Sequence, residues 1–438
     1  MYADGASPVN CVFTVSLRGE ISLERLRYAL SKLQAKHPLL QARITSKMGR
    51  PYFLGEGLTP KIPVRVVERV SGDDWQQVTE VEWEIPFDVE KGPLARVVWL
   101  QGSDVSELVL VCAHCICDGA TGVTLIREIL LLLDQPEETI GSYPVFQSVK
   151  ELIPRAVLAN RKGRLAAYWK SFFVRVFFSL KPIRAKAVNG QGYAIRWRLG
   201  AEMSGALIDR CRREEVTVHA VLCVVLLDAY RAIRQENARG KVICPVDIRR
   251  YVRDIRKDMM FAFAPIVELG VPAGAGSPDG GETTEEAGGA DGGAEREGAD
   301  FWERCRRLKG DLAEKVATIK AYELLLHSEY YHPVAKKLIR WLCADAGSHD
   351  LTFSNMGRLD IPEEYETFSV AAVYSPTVAF PWRNPTTVVV SSFREQMDFA
   401  FVSNTGALRF EEGMAIKERV MQLLEEIMSV AVVKAELK

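Results

Sequence analysis

A nearly continuous apolar run, residues 108–113, ends abruptly in the turn His114-Cys115-Ile116-Cys117-Asp118-Gly119. An apolar run of this length without alternation is typical of a strand buried on both faces. A second apolar stretch follows at residues 121–133 and predicts a helix. The pattern therefore predicts a buried strand, a short turn and a helix, with His114 at the end of the strand. Because catalytic side chains are often presented on such turns, this one is the first candidate site.

The remaining chain alternates strand-like and helix-like segments in both halves, which predicts an α/β protein. The predicted strands cover residues 12–17, 63–67, 94–100, 351–354, 369–373, 386–393 and 397–403, and the predicted helices cover 23–36, 219–233, 301–319, 322–343 and 410–432. A chain of 438 residues exceeds what one hydrophobic core usually supports. We therefore expect two domains, residues 1–186 and 187–438.

Two segments differ in composition from the rest. Residues 145–186 contain ten Lys or Arg and one acid, interleaved with aromatic residues. A solvated basic helix between domains is one interpretation, and a helix that rests on anionic lipid through residues 161–186 is the other. Residues 273–300 are rich in glycine and acids, which predicts a mobile acidic surface loop.

Charge and cysteine content narrow the function classes. The formal net charge of -1 gives no reason to expect a nucleic-acid partner. Nine cysteines are scattered without the paired spacing of a zinc site, and Cys115 with Cys117 lacks a second ligand pair, so we expect no bound metal. The start of the sequence does not resemble a secretory signal, and no apolar stretch is long enough to span a bilayer. We expect a cytoplasmic protein, with peripheral membrane contact left open.

His114 is the strongest candidate for catalysis. An imidazole can both accept and return a proton near neutral pH, as a general base in acyl transfer must. An Asp118 carboxylate paired with an arginine would hold the turn, and Gly119 would allow close packing. The histidines at 37, 327, 332 and 349 lie beside loop or helix-end signals without partner residues, and His219 is interpreted as structural at a helix start.

These residues carry a family resemblance. The turn resembles the HxxxDG motif of the CoA-dependent acyltransferase superfamily, which includes chloramphenicol acetyltransferase, alcohol acetyltransferases, polyketide-associated acyltransferases and nonribosomal peptide condensation domains. Three further segments resemble the superfamily in the right order, namely His37-Pro38-Leu39-Leu40-Gln41-Ala42-Arg43, Pro245-Val246-Asp247-Ile248-Arg249 and Ser354-Asn355-Met356-Gly357-Arg358.

The resemblance implies two chloramphenicol-acetyltransferase-like domains, each with a mixed sheet flanked by helices, that meet at a central tunnel holding His114. Arg43 is the expected partner of Asp118. Arg249 either binds a phosphate of the donor or ties the two domains together. Candidates for stabilising the oxyanion or binding substrate are Ser354, Asn355, Ser391 and Ser392.

The resemblance further implies an acyl-CoA-dependent O-acyltransferase, with an alcohol acceptor favoured over an amine and a lipid-like acceptor left open. No bound cofactor is expected, and acyl-CoA or an acyl-phosphopantetheine would be the co-substrate. Ala113 stands where condensation domains usually carry a second histidine, which favours simple acyl transfer. Two alternatives remain open: a condensation-like enzyme that uses a carrier-protein thioester, and a catalytically inactive binding member of the fold.

Overall fold

The computed structural model describes residues 8–47, 50–55, 59–180, 190–272, 290–344 and 347–436. The strands are β1 (Asn10–Gly19), β2 (Arg43–Lys47), β3 (Arg50–Leu54), β4 (Val64–Glu68), β5 (Ala95–Gln101), β6 (Val105–Ala113), β7 (Gly192–Leu199), β8 (Lys241–Pro245), β9 (Ile266–Gly270), β10 (Leu351–Arg358), β11 (Phe368–Val373), β12 (Thr377–Val378), β13 (Thr387–Phe393) and β14 (Gln396–Asn404).

The helices are α1 (Leu23–Lys36), α2 (Asp74–Glu84), α3 (Gly119–Asp134), α4 (Arg155–Ala159), α5 (Arg161–Leu180), α6 (Ala201–Arg213), α7 (Val218–Arg234), α8 (Ala290–Ala317), α9 (Ala321–Tyr331), α10 (Ala335–Ala344) and α11 (Phe410–Glu436).

The first sheet has the strand order β11-β1-β6-β5-β4, with β12 also paired to β1. Its centre is the antiparallel pair β1 and β6, in register from Asn10 opposite Ala113 to Arg18 opposite Val105. Both strands are buried along nearly their whole length, because helices α1, α2 and α3 and the second half of the chain cover the sheet. The strand that delivers His114 is therefore held rigidly on both sides.

The second sheet has the order β7-β14-β13-β10-β8-β9 and is also mixed. Strand β10 runs parallel to both β8 and β13, and the other pairs are antiparallel. Helices α6, α7, α8 and α11 pack against one face. Two mixed sheets flanked by helices confirm the predicted fold class, while the central tunnel stays a prediction.

The two sheets exchange chain segments. Strands β11 and β12 belong to the second half of the sequence but pair with β1 of the first sheet. Gly19 ends β1 with a φ of +115° and lies against the backbone of residues 367–368, where a Cβ atom would clash. The two domains divided at residue 186 stay a prediction. Residues 368–378 lie in the second predicted domain by sequence but belong to the sheet of the first.

Two predictions needed correction. The helix predicted over residues 322–343 is interrupted at His332–Val334, where Pro333 lacks the amide proton that an α-helix needs. The predicted loop 273–300 lies outside the described residues up to 289, and residues 290–300 begin α8 instead. Alanine and glutamate favour a helix there despite three glycines. Residues 181–186 of the predicted membrane-contact segment also lie outside the described residues.

Within the described part of the chain, no single helix is long and apolar enough to cross a membrane. Two consecutive helices, Ala201–Arg213 and Val218–Asn237, are together long and apolar enough for a membrane span, but the chain bends by 106° between them. The second of these helices is mostly buried in the core of the second sheet.

Candidate active site

The backbone holds His114 at the junction of β6 and α3. Its N–H donates to the carbonyl of Val9, which extends the pairing of β1 and β6 by one residue. The N–H of Ile116 then donates to the carbonyl of Ala113 and closes the turn. His114 keeps partial exposure while its neighbours Ala113 and Ile116 are fully buried. The imidazole thus sits at a rigid position that solvent can still reach.

One hydrogen bond determines which ring nitrogen can act as a base. His114 Nδ1 lies 2.8 Å from the carbonyl oxygen of Cys117. Because a carbonyl can only accept, Nδ1 carries the proton and Nε2 presents a lone pair. Burial lowers the pKa of His114, and this outweighs the backbone hydrogen bonds and the Asp118 charge, which act to raise it. The ring is therefore held neutral near neutral pH.

Asp118 performs two structural tasks. It is the N-cap of α3, where its Oδ1 accepts the N–H of Thr121 at 2.9 Å. Both carboxylate oxygens also accept from the guanidinium of Arg249, each at 2.8 Å. The predicted Arg43 partner is therefore wrong. Arg43 begins β2 opposite Leu54 of β3, whereas Arg249 reaches Asp118 from the loop after β8.

Arg249 is buried to 4% exposure and ties the two halves together. Besides Asp118 it donates to Thr121 Oγ1 and to the carbonyls of Met259 and Phe261. Burial acts to lower the pKa of Arg249, but its bonds to Asp118 and Asp247 raise it overall. The sequence left two roles open for Arg249, binding a donor phosphate or joining the two domains. These contacts match the second role.

Gly119 lets the two halves approach closely at the motif. A Cβ atom at this position would lie 3.1 Å from Cε and 3.3 Å from Sδ of Met356 on β10. The end of β10 therefore packs directly on the start of α3. This contact brings the Ser354-Asn355-Met356-Gly357 segment next to the HxxxDG turn.

The four oxyanion candidates occupy different environments. Phe353 points into the core beside α7, so Ser354 and Met356 face the opposite way, toward the motif turn. Asn355 instead caps its own turn, since its Oδ1 accepts the N–H of Gly357 at 2.8 Å. Ser354 is therefore the best-placed of the two.

The two serines on β13 differ in their contacts. Ser391 is buried and its Oγ lies 2.8 Å from Oγ of Ser375, which also bonds Asp398. Ser392 is partly exposed, and its carbonyl accepts the N–H of Leu359. Ser391 therefore belongs to a buried polar cluster between strands, which favours a structural role.

Sequence reasoning missed several residues of the site. Phe380 lies with its ring centroid 5.6 Å from that of His114, and Trp382 stacks on Phe380 at 4.0 Å. Thr121 joins Asp118 to Arg249. A Phe-Pro-Trp sequence after a short strand was the only signal for the aromatic pair, and it carried no information about what lies opposite.

His37 was expected to lack a partner, and this is wrong. It is fully buried, and its Nε2 lies 2.7 Å from Glu128 of α3, which also accepts from Lys36 at 2.6 Å. The group joins the end of α1 to α3. His37 thus belongs to the framework that positions the motif helix.

The matches to known proteins agree with this geometry. A family model described as Condensation domain matches residues 2–233, which is more than half of the chain. This chain belongs to the condensation-domain family. Its members are acyl or peptidyl transferases, so the family supports an enzyme. The resemblance to the wider acyltransferase superfamily is thereby confirmed.

This condensation-domain chain is similar to peptide synthetases and to several solved structures. Surfactin synthase subunit 2 of Bacillus subtilis (strain 168) is 25% identical over 219 residues, which cover 48% of this chain and 6% of the synthase subunit. The chain therefore spans only a small part of that relative's length.

Two solved structures share the fold over nearly the whole chain. TRI3 trichothecene 15-O-acetyltransferase of Fusarium sporotrichioides superposes with a TM-score of 0.68, 13% identity and coverage of 96% of this chain and 92% of that one. The first condensation domain of the calcium-dependent antibiotic synthetase superposes with a TM-score of 0.63 and 15% identity. The match covers 96% of this chain and 91% of that domain. At this level of identity they establish the fold alone.

Proposed function

We propose that this protein transfers an acyl group from a CoA thioester to an alcohol, with His114 Nε2 as the general base. The observation that carries the proposal is the hydrogen bond from Nδ1 to the Cys117 carbonyl, which leaves Nε2 unprotonated beside the junction of the two halves. The lowered pKa of His114 keeps that nitrogen available at neutral pH.

The reaction needs one proton shuttle. Nε2 of His114 takes the proton from the hydroxyl of the acceptor alcohol while the hydroxyl oxygen attacks the thioester carbonyl carbon. The resulting tetrahedral oxyanion collapses, the carbon–sulfur bond breaks, and the imidazolium returns the proton to the departing thiolate. Ser354, on the face toward the motif turn, is our candidate donor to the oxyanion. One such donor contributes about 3 kcal/mol.

The second candidate uses the same chemistry with a different donor. Membership of the condensation-domain family favours an acyl group carried on the phosphopantetheine of a carrier protein. Ala113, in place of the second histidine of most condensation domains, favours CoA and simple O-acyl transfer. Both donors present a phosphopantetheine thioester, so the His114 chemistry does not depend on the choice.

A thiol-release assay with pooled alcohols and amines tests the reaction. Across acyl-CoA lengths, His114→Ala should lose 100-fold or more of the wild-type rate, as expected when a general base is removed. His332→Ala is the matched control, because His332 bonds the Pro51 carbonyl in another part of the molecule. Unchanged turnover in His114→Ala would reject the mechanism.

The same assay separates the donors. Comparing acyl-CoA with an acyl-loaded carrier protein should give a higher kcat/KM for acyl-CoA if the first proposal holds. A preference for the loaded carrier would move the assignment to the condensation-like alternative. Thiol release from neither donor with any acceptor would favour an inactive binding member of the fold.

We further propose that helix α5 rests on an anionic membrane and that the acceptor is lipid-like. Large apolar side chains, each between 38% and 78% exposed, form the α5 apolar surface: Leu165, Tyr168, Trp169, Phe172, Phe173, Val176, Phe177 and Leu180. Most of them repeat at helical spacing along one side. The opposite side is held to the protein by the buried Ser171 and Phe178.

The charge of the helix supports an anionic surface as the partner. The 20 residues of α5 include five Lys or Arg and no acid. Helix α10, which meets α5 where the Phe178 and Trp341 rings lie 5.9 Å apart, adds the exposed Lys336, Lys337 and Arg340. Exposed aromatic residues flanked by basic ones are typical of helices that lie in the membrane interface.

Sedimentation with anionic liposomes at low salt tests this contact. The double reversal Arg161→Glu with Lys162→Glu should weaken binding about tenfold or more, since each basic residue near the surface contributes about 1 kcal/mol. The control is Arg212→Glu with Arg213→Glu on the exposed side of α6, which should bind like wild type. No sedimentation of wild type with anionic liposomes would remove the proposal. The cytoplasmic location stays a prediction.

A further inference from the structure

A second cluster of reactive side chains lies behind the second sheet, away from the motif. His219, Cys223 and Cys244 bring one imidazole nitrogen and two thiol sulfurs within 4.8 Å of one another. Both cysteines are buried, at 0% and 2% exposure, inside the core between α7 and the sheet. Neither the acyl-transfer mechanism nor the membrane surface uses these residues.

Local sequence explains the convergence. His219 and Cys223 are four residues apart on α7 and therefore lie on one face of that helix. Thr217 caps the helix by accepting the N–H of Ala220, which fixes the first turn where His219 lies. Cys244 comes from β8, the strand that packs against α7. Two rigid elements thus supply the three groups.

The cluster contains an unsatisfied polar atom. Nε2 of His219 is buried and has no hydrogen-bond partner among the described residues, which costs free energy unless something binds it. The Phe353 ring lies 5.0 Å from the imidazole and restricts its position. A ligand bound at this nitrogen would therefore stabilise the fold.

Cysteine binds metal ions as the thiolate, so each of the two thiols releases its proton when the ion binds.

We propose that His219, Cys223 and Cys244 bind a zinc ion that fastens α7 to β8. Two thiolates and one imidazole are a donor set that zinc prefers, with a fourth position left for water. Two thiolates also balance the charge of Zn²⁺, so the site adds no net charge to the apolar core. The i, i+4 spacing of His219 and Cys223 on α7, together with Cys244 on β8, brings the three donor atoms close enough to share one ion.

The distances fit with a small adjustment. Zinc bonds of about 2.3 Å to sulfur and 2.0 Å to nitrogen place tetrahedral ligands roughly 3.5 to 3.8 Å apart. The present donors lie within 4.8 Å, so modest side-chain rotations close the site.

The ion would support the acyl-transfer site indirectly. Cys244 precedes Pro245, and the chain then leads to Arg249, the partner of Asp118. Phe353, which packs on His219, precedes Ser354 of β10. Fixing α7 to β8 therefore stabilises the two segments that complete the candidate active site, without placing the metal among reacting atoms.

Zinc content and cobalt exchange of the purified full chain test the site. We expect about one zinc per chain, and a cobalt-substituted protein with thiolate-to-cobalt absorption. Cys244→Ser and His219→Ala should each weaken zinc affinity at least tenfold. Cys305→Ser is the matched control, because Cys305 is equally buried in the same core but lies outside the cluster.

Thiol labelling gives a readout that does not depend on activity or on the variants folding. Bound zinc should slow the alkylation of Cys223 and Cys244 of wild type, relative to chelator-treated protein, by a larger factor than it slows that of Cys305, because zinc blocks the two sulfurs directly. Three results would overturn the proposal: wild type that neither retains nor takes up zinc, equal zinc affinity in Cys244→Ser, or a disulfide between Cys223 and Cys244 in protein purified under reducing conditions.

Discussion

Asp118 and Arg249 form the ion pair on which the motif turn depends. The guanidinium binds both carboxylate oxygens of Asp118 and four further oxygens, from Thr121, Asp247, Met259 and Phe261, so nearly all of its donors are used inside the protein. The pair joins the first helix turn after His114 to a loop 131 residues away. Its geometry explains why an aspartate rather than another N-cap residue occupies position 118.

Removing the arginine should destabilise the protein strongly. Arg249→Ala leaves the Asp118 carboxylate without its buried partner, and we expect the free energy of unfolding to fall by about 3–5 kcal/mol. The control is Arg250→Ala, since Arg250 is exposed next to it and bonds only the Tyr251 hydroxyl among described groups. Denaturant unfolding measures both. Equal midpoints for the two variants would contradict the structural role of Arg249.

The pH dependence of catalysis follows from His114. Burial lowers the pKa of its imidazole, so the neutral, basic form persists below the ordinary value of about 6.5. We therefore expect the decline of kcat/KM with falling pH to be centred below about pH 6.5. A pH–rate profile of wild type checks this. A decline centred above pH 6.5 would show that the base is another group or that its pKa is raised.

Helix α3 lies unusually close to strand β1. A Cβ atom on Gly122 would be 2.0 Å from the Phe13 ring, and one on Gly119 would be 3.1 Å from Met356. The first turn of α3 is therefore wedged between the first sheet and β10. This element-level packing, more than helix propensity, fixes the direction in which the motif turn points.

Gly122→Ala should push α3 away from β1. We expect a destabilisation of about 1–3 kcal/mol from overpacking, which exceeds the gain of up to about 1 kcal/mol in helix propensity. Gly310→Ala in the exposed part of α8 is the matched control, because nothing lies within 4 Å of the added atom. That variant should be as stable as wild type or more so. Thermal unfolding compares them, and a stabilised Gly122→Ala would refute the close contact.

The two halves of the molecule depend on each other. Strand β1 lies between β6 and the returning strand β11, with Val15 opposite Val373 and Leu108 on its two sides. Without the second half, β1 would become an edge strand with an unpaired, apolar backbone. The first core also includes Phe368, Val370 and Val378 from the second half.

A fragment that ends at residue 180 should therefore aggregate when produced alone. Co-expression with a fragment that starts at residue 190 should restore a 1:1 complex, because β11 and β12 can then pair with β1. Size-exclusion chromatography and unfolding curves of the separate and combined fragments measure this. A monomeric first fragment that unfolds cooperatively would show that the strand exchange is dispensable.

Local patterns in the sequence were enough to predict the strand and the helix on either side of the motif. The apolar run before His114, the cap residue Asp118 and the helical repeat after Gly119 all act over a few residues, and the structure confirms β6 and α3. The family resemblance also made Ser354 and Asn355 oxyanion candidates, and the contact between Gly119 and Met356 brings their strand next to the motif.

Long-range pairing was beyond the reach of such patterns. Three features depend on how two distant segments pack. These are the choice between Arg43 and Arg249 as the partner of Asp118, the sheet that β11 joins, and the position of Cys244 beside His219. A single sequence shows which residues favour a strand, a helix or a cap, because those preferences arise between near neighbours. Only the tertiary structure decides the partners, because many distant residues have suitable chemistry and packing selects one of them.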